Sequence, residues 1–207
     1  MTAPIVRADG QGALDEAVRR LLADDLIVVP TDTVYGVAAH GLREAAVAKL
    51  YDAKLRPRGK AIPLLLADPG DVDAVGVNIG ALARRLMARY WPGAMTVVIP
   101  ARPGLPPSLT AGGATVAVRI PDCDVTRALI RGLGVPLAAT SANLSGVEPA
   151  VTAFDAAAML GDAVALILDN GRSPGGAAST VVDATVSPPR VLRPGPLTLD
   201  PDLIASA

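Results

Sequence analysis

Four short segments carry residue types that could do chemistry. The first, Pro30-Thr31-Asp32-Thr33-Val34-Tyr35-Gly36, crowds hydroxyls, a carboxylate and a phenol into a turn after a β-branched run. Thr33 can donate and accept, which suits a zwitterionic amino acid; the same hydroxyls could instead only satisfy their own backbone. The second, Lys54-Leu55-Arg56-Pro57-Arg58-Gly59-Lys60, places four cations in seven positions. Arginine offers a planar fork for phosphate oxygens and lysine adds a point charge, so the cluster suits a triphosphate. A cation is stabilising at a helix C-terminus, which accounts for Lys54 but less well for Arg56, Arg58 and Lys60 together. The third, Thr140-Ser141-Ala142-Asn143-Leu144-Ser145-Gly146, offers small polar groups that let phosphate or ribose approach the backbone, although such loops are common. The fourth group is Arg119 within an apolar strand, Ser179-Thr180-Val181-Val182-Asp183, and Arg193-Pro194-Gly195. An arginine in an apolar strand needs a partner, and a structural carboxylate and a ligand's carboxylate are both open.

Single residues set limits. One cysteine, Cys123, and one histidine, His40, exclude an internal disulfide, a cysteine-based zinc cage and a histidine-rich metal site. No triad can be built on one histidine, and no GxxxxGK[ST] loop is present, so any nucleotide must be held by scattered side chains. His40 beside Gly41 reads as a structural loop residue, Cys123 as a small filler, and Trp91 as the plug of a helix end, with adenine stacking as its alternative.

The elements that must position these groups follow from periodicity. Helical spacing predicts helices at 13–22, 45–54, around 82–90, at 125–132 and at 153–160. Short apolar runs predict strands at 26–29, 62–66, 96–99, 115–120, 136–139, 164–168, 180–183 and 191–193. Thr152 and Asp155 stand at capping-box spacing. The alternation implies an α/β fold, a sheet covered by helices. There is no internal repeat and no long linker, so residues 1–207 read as a single domain. The Pro/Gly-rich stretches 102–113 and 171–178 are expected to border a site.

Composition narrows the class. Hydrophobic residues make up 51% of the 207 and aromatics 2%, with a formal net charge of -1. That leaves little for base-stacking platforms or a general nucleic-acid coat. The first nine residues lack signal-peptide order and the apolar runs are too short to span a bilayer, so a cytoplasmic protein without a membrane partner is expected.

Taken in order, the four groups together with Trp91-Pro92-Gly93 and Val118-Arg119-Ile120-Pro121 closely resemble the YrdC-type threonylcarbamoyl-AMP synthase family, from about residue 26 to 195. The resemblance implies a single-domain, twisted open sheet with flanking helices and a large concave cavity. It implies that Thr33, Arg119, Ala139 and Ser179 bind L-threonine, with Arg119 on its carboxylate. It implies that Lys54, Arg56, Lys60, Thr115, Ser141, Asn143 and Arg193 hold ATP, Lys54 and Arg56 taking the catalytic part, and that Mg²⁺ accompanies the triphosphate. Some longer relatives have a histidine where this chain has Leu65, and any lid would have to come from the tail, 196–207.

The implied reaction joins L-threonine, bicarbonate and ATP into threonylcarbamoyl-adenylate, for a downstream tRNA threonylcarbamoyl transferase. It needs no side-chain nucleophile, only positioning and stabilisation of phosphate charge. Two rivals remain: an RNA-binding module gripping phosphates with the basic segment, and a domain that handles carbamoyl-adenylate. Stable nucleic-acid binding is not expected, given the near-neutral charge.

Overall fold

The computed structural model describes residues 2–201 and 203. Its elements begin with β1 (Ile5–Arg7), α1 (Ala13–Leu22), β2 (Ile27–Val29), β3 (Gly36–His40) and α2 (Glu44–Lys54). Then come β4 (Leu64–Leu65), a 3-10 turn at Pro69–Asp71, α3 (Val72–Val75), α4 (Ala81–Tyr90), β5 (Met95–Pro100), α5 (Pro107–Thr110) and β6 (Thr115–Arg119). The chain continues through α6 (Asp124–Leu133), β7 (Leu137–Ser141), α7 (Ala153–Leu160), β8 (Leu166–Asp169), β9 (Thr180–Asp183) and β10 (Arg190–Arg193). The strands form one open mixed sheet in the order β1-β8-β2-β3-β7-β4-β6-β5-β9-β10.

The two faces of this sheet are covered unequally. On one face the apolar sides of α2, α4 and α7 pack along nearly its whole width, burying Leu50, Leu86, Met95, Val97, Val118 and Ile167. On the other face α1 and α6 pack together, burying Ala17, Leu21, Leu129 and Ile130 against Ile27, Ala38 and Leu166. These two helices reach only the half of the sheet around β8, β2, β3 and β7. Alternation along the strands then decides what the uncovered half presents. Val116 and Val118 of β6 enter the helix-covered core, whereas Ala117 and Arg119 face a cavity. On β5, Val97 and Ile99 point into the core, and Thr96 and Val98 face the same cavity.

The sequence-based elements need four corrections. β3 was not among the expected strands, and His40 was expected in a loop; five buried residues of little strand propensity become a strand by pairing with β2 and β7 on either side. His40 therefore ends a strand, where its Nδ1 accepts from the Leu42 amide at 3.4 Å. β7 extends through Thr140 and Ser141, so the third segment begins inside a strand. The stretch 102–113 contains α5 and supports the base of the basic segment through Tyr51, whose hydroxyl donates to Ser108 O at 2.6 Å. It does not line the cavity. β1 was not anticipated at all; it adds to the edge beside β8.

The tail is no lid. Leu197, Leu199 and Leu203 pack against the core, and the Asp200 amide donates to Tyr90 Oη at 2.7 Å. Residues 202 and 204–207 of the expected tail, and Met1 of the expected domain, lie outside the described residues. No described helix is long and apolar enough to cross a membrane.

Candidate active site

The turn after β2 is built on Thr31. Its hydroxyl donates to Val34 O at 2.6 Å, and the amides of Thr33 and Val34 donate back to it at 3.2 Å. A carbonyl can only accept, so the single proton of Thr31 is committed there. In the 2.9 Å contact between the two hydroxyls, Thr33 must therefore be the donor. Arg119 Nη1 donates to Thr33 Oγ1 at 2.8 Å. Thr33 is left with accepting capacity only, which corrects the expectation that it both donates and accepts toward a ligand. Gly175 keeps this turn close to the 171–178 segment, since a Cβ there would stand 2.7 Å from Asp32 O.

Arg119 has a structural carboxylate partner and also lines the cavity. Nη2 meets Asp32 Oδ1 at 2.5 Å and Nε donates to Gly93 O at 2.9 Å. The pair is buried, with side-chain exposures of 7% and 14%. Burial lowers the Arg119 pKa, and the Asp32 charge opposes that shift. A ligand carboxylate would thus meet a guanidinium already neutralised.

The basic segment divides. Arg56 Nη2 donates to Ala61 O at 3.0 Å, and Arg56 and Lys60 line the cavity. Arg58 turns outward to an exposed pair with Asp52 at 3.1 Å. Lys54 lies inside, 2% exposed. Its Nζ donates to the carbonyl of Ser141, to Asn143 O at 2.5 Å and to Asn143 Oδ1 at 3.0 Å. Burial, then the neighbouring Arg56 charge, lowers its pKa to about 8.

Across the cavity, Arg193 donates twice to Ser179 O, at 3.1 and 2.7 Å, and to Ser179 Oγ at 3.1 Å. Ser179 Oγ in turn lies 2.8 Å from Thr96 Oγ1. Burial lowers the Arg193 pKa and the Arg56 charge lowers it further. Two guanidinium groups therefore repel each other across the cavity, an arrangement that an anion between them would relieve.

The cavity between these walls measures about 540 Å³, within the range of small-ligand sites. Its floor is apolar, with Leu65, Val98, Ala117, Ala139 and Val181. Arg56, Lys60, Arg119 and Arg193 line it without any Asp or Glu. A shallower groove of about 390 Å³ carries Asp25, Asp52 and Asp162 against Lys49, the wrong sign for a polyanion. Of the expected ligands, Thr33, Arg56, Lys60, Arg119, Ala139, Ser141, Ser179 and Arg193 are brought together.

Lys54, Asn143 and Thr115 are not. Lys54 spends its three protons on protein acceptors, and Asn143 Nδ2 donates to Leu144 O and Val147 O. Thr115 shares a face with Ala117 but stands two residues out along β6, opposite Pro100. Thr96 was missed. Its signal was a hydroxyl at every-other-residue spacing with Val98, indistinguishable in sequence from an ordinary β-former. Trp91 does cap a helix end, donating Nε1–H to Met95 O at 2.8 Å.

The Sua5/YciO/YrdC family model, described as telomere recombination, matches residues 19–195. The chain is 41% identical over 184 residues to a putative threonylcarbamoyl-AMP synthase of Mycobacterium tuberculosis, covering 89% of this chain and 84% of that one. It is 39% identical over 184 residues to the threonylcarbamoyl-AMP synthase of Bacillus subtilis, covering 88% of this chain and 53% of that one. Among solved structures, P. abyssi Sua5 complexed with L-threonine matches with a TM-score of 0.90 at 34% identity, over 95% of this chain and 58% of that one. E. coli YciO matches with a TM-score of 0.84 at 25% identity, over 98% of both chains. This chain thus spans little more than half the length of the Bacillus and Pyrococcus proteins.

Proposed function

This chain belongs to the Sua5/YciO/YrdC family, and we propose that it is a threonylcarbamoyl-AMP synthase. The observation that carries the reading is the cavity itself, where Arg56, Lys60 and Arg193 stand over an apolar floor with no lining carboxylate and Arg119 is already paired with Asp32. A polyphosphate supplies the missing negative charge, and a small amino acid fits the floor. The relative solved with L-threonine supports the second half of that statement.

In this reading the enzyme is a nucleotidyltransferase. The amine of L-threonine adds to bicarbonate and loses water, giving a carbamate. A carbamate oxygen attacks the α-phosphorus of ATP, and pyrophosphate leaves. Arg56, Lys60 and Arg193 offset the phosphate charge, while Ser141 lines the nucleotide wall. Thr33, Arg119, Ala139 and Ser179 surround the amino acid. Thr33 serves as an acceptor, so it faces a ligand N–H or O–H and not the carboxylate. Stabilisation comes from fixed charges in a partly water-excluded site, with no covalent enzyme intermediate.

Mg²⁺ would accompany the nucleotide. The described residues include no group of three or more His, Cys, Asp or Glu able to hold a metal ion, so the triphosphate oxygens and water would hold it. When bound, the ion offsets charge on the triphosphate. In this reading the product passes to a tRNA threonylcarbamoyl transferase, and both act in the cytoplasm.

The test is pyrophosphate release from ATP with threonine and bicarbonate omitted in turn. Release should require both. Undiminished release without threonine would favour the carbamoyl-adenylate rival. Salt-sensitive RNA binding with no pyrophosphate release would favour the RNA-binding one.

A further inference from the structure

Lys54 belongs to the basic segment by sequence but not to the cavity by position. Its side chain leaves the last turn of α2 and crosses to the exit of β7. An ammonium has three protons, and Ser141 O, Asn143 O and Asn143 Oδ1 provide three acceptors. Asn143 then closes the following loop through Leu144 O and Val147 O. The Ser145 amide adds a backbone tie to Lys54 O at 3.2 Å. The elements so joined carry two of the walls of the cavity. α2 runs straight into the segment bearing Arg56 and Lys60, and β7 bears Ala139, Thr140 and Ser141.

We propose that Lys54 is a positioning residue, a charged clamp that sets the separation of the Arg56 wall from the Ser141 wall and never touches the nucleotide. The proposal rests on the reading of these walls as an ATP site. The groups facing Lys54 explain why the clamp is pH-sensitive. Among the described residues of β7 and its loop, neutral Ser141 and Asn143 reach it, and Asp52, two positions earlier in α2, faces outward to Arg58. The charge acting on it is Arg56, of like sign. With the proton leaving near pH 8, a neutral amine keeps two N–H groups for three acceptors. The arginines stay charged throughout that range.

The experiment compares wild type, Lys54→Met and Arg56→Ala. Calorimetry measures ATP, AMP and L-threonine affinity between pH 7 and 9. Amide exchange of residues 143–147 is followed without ligand. Wild-type nucleotide affinity is expected to fall as pH passes 8. Lys54→Met should lose that pH step, weaken ATP and AMP by the same factor, on the order of tenfold, and speed exchange at the Ser145 and Val147 amides. Arg56→Ala should weaken ATP more than AMP and leave exchange unchanged. A Lys54→Met loss far larger for ATP than for AMP, with loop exchange unaltered, would mean that Lys54 touches phosphate and overturns the clamp. Should Lys54→Met fail to fold, NMR of the Lys54 ammonium in wild type decides instead. A clamp keeps its resonance on adding ATP, whereas a phosphate ligand shifts. If wild type binds no ATP, the ATP-site reading fails, while exchange and the Lys54 titration still judge the clamp.

Discussion

Arg119 shows how one side chain constrains several others. It is buried, it neutralises Asp32, and it fixes which way the Thr33 hydroxyl points. Truncating it strands the Asp32 carboxylate, so Arg119→Ala should lower unfolding free energy by about 3–5 kcal/mol, measured in urea. Its effect on threonine activity then has to be read on folded protein only. Among the described residues Arg56 has no such partner, and it donates to the backbone oxygens of Lys60 and Ala61. Arg56→Ala should keep its stability and lose roughly 1.5–3 kcal/mol of ATP affinity with little change for threonine, by calorimetry. Cys123 is buried at the N-terminal end of α6, outside the cavity lining. Cys123→Ser should leave turnover nearly intact; a loss of several orders of magnitude in folded protein would reveal a missed nucleophile.

Among the elements, α7 and α6 illustrate two kinds of anchoring. At α7 the Thr152 hydroxyl accepts from the Asp155 amide at 3.1 Å and the Asp155 carboxylate accepts from the Thr152 amide at 3.1 Å. Thr152→Ala should cost about 1 kcal/mol in a urea melt. At α6, Arg131 and Arg127 reach Asp68, beyond β4, and hydrogen bonds and charge hold its pKa at about 2. The folded value lies below the unfolded one. The stabilisation is therefore complete above the unfolded pKa and fades as pH falls toward 2. Asp68→Asn should flatten that part of the acid-side decline in melting temperature. Both contacts sit at the surface, which is why their sequence spacing alone, local for the capping box and remote for Asp68, made only the first legible.

For the molecule as a whole, the cavity exists because α1 and α6 cover half a face and no helix among the described residues covers the rest. Substrate choice belongs to that space. An apolar floor beside an acceptor-only Thr33 should rank threonine above serine and serine above valine. Loss of a methyl is worth roughly 1–3 kcal/mol, and loss of a hydrogen-bonded hydroxyl considerably more. Turnover with each amino acid checks this, and valine outperforming serine would show that the hydroxyl is not read.

Residue types and local spacing were enough to single out the basic segment and the hydroxyl turn that border the cavity, α1, α7 with its cap, and β9, because each is specified by side chains within a few positions. The resemblance of ordered motifs added the reaction. Tertiary structure decided the rest. It made a strand of Gly36–His40 by flanking it on both sides, and it paired Arg119 with Asp32 across 87 positions. It also drew Lys54 out of the cavity lining, because an ammonium two residues from a cavity arginine found three acceptors at Ser141 and Asn143. Which of several equivalent cations faces a ligand depends on where strands distant in sequence place their carbonyls, and one-dimensional spacing does not encode that distance.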